Sequence, residues 1–363
     1  MFTQTALKHA DACRFCWMCR HLCPVGLKTG REVNTPRAKG LLVSLDQRGH
    51  AMDADTAQAM YECTLCGSCT NDCATGFEPP IFIREARTQA IVEGLAPASV
   101  EKVIENIQTT GNMFGMNAKD RIPLDEMPET AEVLLYLGQT AAYRRQDMAR
   151  AAISLMRKAG VSFTVMQNEP DTGCALGDLM GYVEDVRAQA QSCADAIHAT
   201  GAKLVVLLDS YDAAFIKHNF AAWGIALNAE TTTATAYFAN LVREGRLHPE
   251  HLSMTATYHD ATPLARDLDE HQPARDLIAA MGISLKEMFL NRRMAKCCGS
   301  EVFLQYAPEL AHMTAEGRWD DVRRTGMTTL IAADPQALDV LSQAIPEDMR
   351  LCDLFTLLDS ACR

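Results

Sequence analysis

The pattern of apolar and polar positions changes character near residue 130. Before that point it predicts helices set between capping signals. Thr35-Pro36 gives an N-cap and a proline at the first helical position, and the helix over Arg37–Arg48 is expected to stop at Gly49. Further helices are expected over Asp55–Glu62 and over Pro80–Glu93, the latter closed by Gly94. Thr109–Thr130 is rich in Gly, Asn, Met and Pro and has no period, which reads as a linker. From Ala131 short apolar runs alternate with helical stretches, the mark of α/β organisation. The runs Val133–Leu137, Ser162–Met166, Lys203–Leu208, Met254–Tyr258, Ile283–Glu287 and Thr329–Ala332 read as strands. Tyr143–Lys158, Tyr182–Ala199, Ala234–Arg243 and Ala274–Met281 read as helices among them.

This second region repeats itself. Ala159-Gly160-Val161-Ser162 returns as Met281-Gly282-Ile283-Ser284, and Gly173-Cys174 returns near Cys297-Cys298-Gly299. Thr200-Gly201 ahead of Leu204–Leu208 returns as Thr325-Gly326 ahead of Leu330–Ala333. The offset stays between 122 and about 125 residues, so two copies of one α/β unit are expected, facing each other as pseudo-twofold halves. The expected fold class is α+β multidomain. Residues 1–108 form a helical domain, 109–130 the linker, 131–250 the first half and 251–363 the second.

Two cysteine runs change the picture most. Cys13, Cys16, Cys19 and Cys23 precede Pro24, and Cys63, Cys66, Cys69 and Cys73 repeat the spacing, with Ala74 where a proline is usual. This is the run of two-cluster ferredoxins, in which three thiolates wrap one 4Fe–4S cluster and the fourth ligates the other. The assignment expected is Cys13, Cys16, Cys19 and Cys73 on one cluster, and Cys63, Cys66, Cys69 and Cys23 on the second. Structural zinc uses two close pairs and has no need of four cysteines in each run. Core cysteines or disulfides account for matched runs of eight less well.

Composition narrows the class. With 48% hydrophobic and 22% charged residues the 363-residue chain is ordinary soluble globular material. A net charge of −12 argues against nucleic acid as a general partner. Met1–Ala12 lacks the apolar core of a signal peptide, and no apolar run approaches the ~18 residues of a membrane span, so a cytoplasmic chain is expected. Charge is unevenly placed: Met1–His50 nets +5 and Ala51–Pro97 nets −5. Most of these side chains read as solvated surface. A sharper reading is that the basic first run docks an acidic redox partner and raises the potential of its cluster.

Beyond the runs, Tyr258-His259-Asp260, Ala295-Lys296-Cys297-Cys298-Gly299 and Asp334-Pro335-Gln336-Ala337 resemble the second cysteine-rich (CCG) domain of iron–sulfur oxidoreductases. Over nearly its full length the chain resembles the iron–sulfur subunits of glycolate oxidase, of anaerobic glycerol-3-phosphate dehydrogenase and of lactate utilisation, and the catalytic heterodisulfide reductase subunits. The resemblance implies an α-helical ferredoxin domain followed by two CCG-type α/β domains. A full CCG domain offers five thiols for a noncubane cluster pair. The matching positions here are about Gln139, Gly173, Cys174, Asp209 and Asp212 in the first half, and Thr262, Cys297, Cys298, Asp334 and Ala337 in the second. One or two thiols do not enclose a polynuclear cluster, so no noncubane cluster is expected.

Cys297 and Cys298 are then the weak catalytic candidates, a relic pair or a redox-active one. Cys174, Cys193, Cys352 and Cys362 read as packed or idle, His259 and Asp260 as holding a loop, and Trp17 as a water shield over a cluster. No G-x-G-x-x-G after a strand, P-loop or G-x-S-x-G elbow is present, which leaves no visible nucleotide or acyl-transfer site. The expected function is electron transfer from an FAD- or FMN-containing dehydrogenase or oxidase subunit, by resemblance one acting on a 2-hydroxy acid. The electrons would pass through two 4Fe–4S clusters to a quinone, a membrane subunit or a carrier, with the chain cytoplasmic or else held peripherally at the inner membrane through a partner. A catalytic reductase using Cys297 and Cys298, and a redox-sensing or assembly protein, are the alternatives.

Overall fold

The computed structural model describes residues 2–124 and 127–362. The N-terminal third is helical, with helices over Gln4–Asp11, Pro24–Thr29, Pro36–Gln47, Ala54–Tyr61, Pro79–Val92 and Ala98–Thr110. Their starts follow from capping chemistry. Thr35 Oγ1 accepts from the Ala38 N–H at 3.3 Å and Asp53 Oδ1 from the Thr56 N–H at 2.8 Å, each satisfying a donor that the first turn leaves free. The boundaries fall within a residue or so of those expected. The stretch after Thr110 is a pinned knot rather than a loose linker. The buried Asn112 donates to the Met116 and Thr110 carbonyls and accepts from the Phe114 and Met116 N–H groups. Asp125 and Glu126 of the expected linker lie outside the described residues.

Among the described residues eight strands form two four-stranded sheets. The first contains β1 (Val133–Tyr136), β2 (Phe163–Thr164), β3 (Leu204–Leu207) and β4 (Glu230–Thr233), in the order β2-β1-β3-β4. The second contains β5 (Thr255–His259), β6 (Ser284–Leu285), β7 (Thr329–Ala332) and β8 (Arg350–Asp353), in the order β6-β5-β7-β8. All the pairings are parallel, and the two orders are the same. Gly201 and Gly326, which lead into β3 and β7, both take positive φ, at 68° and 75°. The apolar pattern missed β4 and β8. Both are polar edge strands, and they form because β3 and β7 offer them a ladder rather than because their own residues demand it.

Along β1, Leu134 and Tyr136 point into one hydrophobic cluster and Leu135 and Leu137 (which follows the strand) into another, the alternation a strand imposes. The first cluster joins this face to Phe82, Ile83 and Ala86 of the helical region and to Phe303 and Tyr306 of the second half. The other joins the opposite face to Tyr258, Leu330 and Trp319. A parallel sheet must be covered on both faces, and here the half's own helices Gln146–Lys158 and Glu184–Ala199 share that cover with the other two parts of the chain. The cores therefore run across the expected boundaries.

The helix Pro79–Val92 is the main fastening. Buried Arg87 donates to the Met60, Cys63 and Asp178 carbonyls, and Thr88 Oγ1 donates to the Met180 carbonyl at 2.8 Å. Tyr61 Oη donates to the Leu179 carbonyl at 2.8 Å. This seam closes over Gly181, at φ 75°, where a Cβ would stand 2.1 Å from Thr88 Oγ1 and 2.7 Å from the Arg84 carbonyl oxygen. Gly201 has a similar φ but open space around it. Gly201→Ala is expected to cost about 1–2 kcal/mol from backbone conformation alone. Gly181→Ala is expected to cost at least about 2 kcal/mol more, because the seam must part. Denaturant midpoints of the two variants check the difference.

Candidate metal centres

Each cysteine run is a loop bent the same way. Phe15 and Trp17 in the first take φ 56° and 68°, and Leu65 and Gly67 in the second take 53° and 67°. Three of these four are not glycine, and left-handed backbone costs such residues of order 1–3 kcal/mol each. The bends curl the thiols to one side of the chain. They also turn backbone N–H groups toward sulfur: Phe15 N to Cys13 Sγ and Leu65 N to Cys63 Sγ, each at 3.4 Å. Cys23 opens the helix Pro24–Thr29 and accepts from the Gly26 N–H at 3.4 Å. Ser68 Oγ lies 3.5 Å from Cys66 Sγ, and Thr75 Oγ1 lies 3.3 Å from Cys73 Sγ.

The thiols gather in two neighbourhoods. Burial, and then the charges of Cys13, Cys16 and Cys73, push Cys19 up to about 11. Cys23, Cys63, Cys66 and Cys69 line one small pocket with Lys39 and Val25. Burial pushes Cys23 up to about 12, with Cys63 and Cys66 adding to it, and holds Cys69 well above the usual thiol range. Cys73 goes the other way: burial works to raise it, but hydrogen bonds from Thr75 and nearby N–H groups outweigh that. Cys19 is also a neighbour of Cys69, so the two groups adjoin. Among the described residues no three Cys, His, Asp or Glu side chains close in as tightly as one metal ion needs.

Four thiolates in one buried place repel each other, and only positive charge between or beside them relieves that. Two cations stand beside the second group. Lys39 is 1% exposed, and its Nζ donates to the Ala59 and Val33 carbonyls at 2.7 and 3.2 Å. Burial pulls its pKa down, against the pull of Cys63, Cys23 and Glu62. Arg87 is 1% exposed and, like Lys39, forms no ion pair with a carboxylate among the described residues. A buried cation of this kind needs an anion nearby, and a site that collects four cysteine thiolates supplies one. Nothing in the residue pattern signals this role, since Lys39 and Arg87 read there as solvated surface.

Cys297 is the other contact that sequence spacing hides. It is 1% exposed and lies against Cys66, a contact that raises the Cys297 thiol and lowers Cys66, while the Cys297 thiol donates to the Gly299 carbonyl at 3.7 Å. Cys298 is buried beside it, raised to about 12 by burial and then by Asp334. All fourteen cysteines are free thiols. Trp17 is 42% exposed, with the Arg37 guanidinium 3.6 Å from its ring centre. His259, at the end of β5, accepts from Arg318 Nε of the helix Pro308–Thr325 at 3.0 Å. Asp260 is gripped by two nitrogens of Arg275 at 2.8 and 3.0 Å and accepts from the Arg292 N–H at 2.9 Å, which holds that loop in place.

A buried polar seam lies between the two α/β halves. Gln139, Cys174, Asp209 and Asp212 converge on one small cavity. Gln336 Nε2 donates to both carboxylate oxygens of Asp209, at 3.2 and 3.0 Å, and Ser210 donates to Asp334 through its N–H and hydroxyl at 3.0 and 2.6 Å. Asp209 and Asp334 follow β3 and β7 at equivalent positions, so the two halves meet through matching carboxylates. Burial, and then Asp334, raise Asp209 to about 8. A carboxyl raised on folding binds more protons in the native state than in the unfolded one. Its stabilisation is present at low pH and is lost as pH rises through about 8. Stability is therefore expected to fall from pH ~4 to ~8, and Asp209→Asn to flatten that slope, as read from denaturant midpoints across the range.

A family model described as a 4Fe-4S dicluster domain matches residues 9–77. The chain is 26% identical over 324 residues to a probable iron-sulfur-binding oxidoreductase, FadF, of Bacillus subtilis, covering 83% of this chain and 43% of the relative. It is 26% identical over 366 residues to a dihydromethanophenazine:CoB–CoM heterodisulfide reductase subunit of Methanosarcina acetivorans, covering 92% and 88%. It is 24% identical to an EtfAB:quinone oxidoreductase of Syntrophomonas wolfei, covering 79% and 42%. The chain spans about half the length of the first two curated relatives it matches. A Helicobacter pylori protein of known crystal structure shares the fold, with a TM-score of 0.57, 10% identity, and 89% and 67% of the two chains covered. By sequence, then, this chain is a distant relative of iron–sulfur oxidoreductase subunits.

Proposed function

We propose that the chain is an electron-transfer subunit carrying two 4Fe–4S clusters, one on Cys13, Cys16, Cys19 and Cys73 and the other on Cys63, Cys66, Cys69 and Cys23. What carries this reading is the pocket lined by Cys23 of the first run and Cys63, Cys66 and Cys69 of the second, with Lys39 buried against it. A bound cluster of this type takes up and releases one electron at a time. The chain's own residues hold the thiols in place, exclude water from the second group and direct N–H donors at sulfur. Lys39 and Arg87 set the local charge, which favours the more reduced state. In this reading residues 1–108 are a helical ferredoxin domain, 109–130 a connector, and 131–250 and 251–363 degenerate CCG-type halves that scaffold the relay.

The partner in this reading is an FAD- or FMN-containing dehydrogenase or oxidase subunit, by resemblance one oxidising a 2-hydroxy acid. The acceptor is a quinone, a membrane subunit or a carrier, with the chain in the cytoplasm or held peripherally at the inner membrane through its partner. No helix among the described residues is long and apolar enough to cross a membrane. A second reading, a reductase that keeps chemistry at Cys297 and Cys298, is favoured by the Cys297 contact with Cys66. Single substitutions separate the clusters: Cys73→Ser is expected to remove or alter one EPR signal and Cys23→Ser the other. Signals lost together in both variants, or in neither, would count against the assignment. With Cys297 and Cys298 both changed to Ser, electron flow from a co-purified flavoprotein is expected to persist. Collapse of that flow with both signals intact favours the reductase.

A further inference from the structure

The two thiol groups differ in access. Cys69 is buried, whereas Cys16 is exposed on a loop whose consecutive residues Arg14–Met18 are all open to solvent. Phe15, Trp17 and Met18 are 51%, 42% and 55% exposed. Water does not favour three large apolar side chains side by side, and such patches mark interaction surfaces. Cations frame them: the Arg37 guanidinium stacks 3.6 Å from the Trp17 ring centre and Arg20 lies 5.4 Å from it. Arg14 uses its guanidinium only on the Asp11 and Cys13 carbonyls among the described residues. Tryptophan with arginine at the centre of a patch is the composition of binding hot spots.

From His21 a groove of about 710 Å³ runs on past Leu27 to Phe289 of the second half, a side chain 97% exposed. The first fifty residues net +5 in a chain of net charge −12. Lys39 is buried and Glu32 pairs with Arg20 and Arg37. Arg14, however, has no carboxylate partner among the described residues, and the lysines and arginine of the groove outnumber its carboxylates by one. This face is therefore locally positive on an acidic molecule, and it suits a partner that is acidic at the rim and apolar at the centre.

We propose that this face docks the acidic surface of a flavin-carrying redox protein, and that electrons enter beside Cys16 and pass inward to the second group. The proposal rests on the relay reading above. In the step itself one electron leaves the partner's anionic flavin hydroquinone, which becomes its neutral semiquinone, and reduces this chain by one; no bond forms or breaks and no proton is released.

The test uses the full chain with its clusters reconstituted and reduced flavodoxin, a small acidic flavoprotein, as the probe, followed by stopped flow. The second-order rate is expected to fall steeply with salt, as oppositely charged partners require. It is expected to fall at least about tenfold in Arg14→Glu/Arg20→Glu and several-fold in Met18→Ser. Arg243→Glu, a side chain 68% exposed on the helix Ala234–Arg243 of the first half, is expected to stay near the wild-type rate. EPR of each variant checks that both clusters are retained. Wild-type rates in the loop variants with both signals present would overturn the docking face and leave the relay reading standing. The docking face falls in the same way if the loop substitutions change only self-association or binding to anionic lipid vesicles. Clusters that dithionite cannot reduce would overturn both.

Discussion

Buried charge is the constraint that shapes the rest of this structure. Thiols drawn from both cysteine runs meet in the interior, and two cations, Lys39 and Arg87, are buried beside them and capped by backbone carbonyls. Neither set is comfortable alone: thiolates without a metal repel one another, and buried ammonium or guanidinium without an anion is costly. In the proposed relay the two sets offset each other once a cluster, negative overall, is held by those thiolates. Arg87 also fastens the helical region to the first α/β half, so the group's surroundings and the tertiary fold share one side chain.

The α/β halves meet in a buried polar seam. Their parallel sheets have the same strand order, and Asp209 and Asp334, each two residues beyond a central strand, take hydrogen bonds from the opposite half. Hydrogen bonds from Gln336 and Ser210 satisfy the buried carboxylates across the interface. A polar seam of this kind is stable only when every member is paired, which ties the two halves to one mutual arrangement. Cys297 remains a thiol among these polar positions and turns to the neighbouring Cys66, so the second half touches the second cysteine run through sulfur.

Much of this was readable in the residues. The cap at Thr35 set its helix start within a residue, because a cap is a local hydrogen bond. The repeat of Gly201 and Gly326 marked equivalent turns, because only a few residues tolerate positive φ there. What stayed hidden was non-local. Strands β4 and β8 carry no apolar signal of their own, and a lysine at position 39 looks the same in sequence whether it faces solvent or a sulfur pocket. The Cys66–Cys297 contact joins residues far apart in the chain and has no spacing rule. The continuity of the two hydrophobic clusters across the expected domain limits is likewise a property of packing, which periodicity does not report.

If the eight run cysteines are the whole metal inventory, in two groups of four, the count of bound iron is fixed. Iron and acid-labile sulfide, measured per chain after anaerobic reconstitution to saturation with Mössbauer spectra of the same sample, read that count directly. About eight irons and about eight sulfides are expected, all in cubane clusters. About four irons, or a count well above eight with a noncubane component, would rule this inventory out.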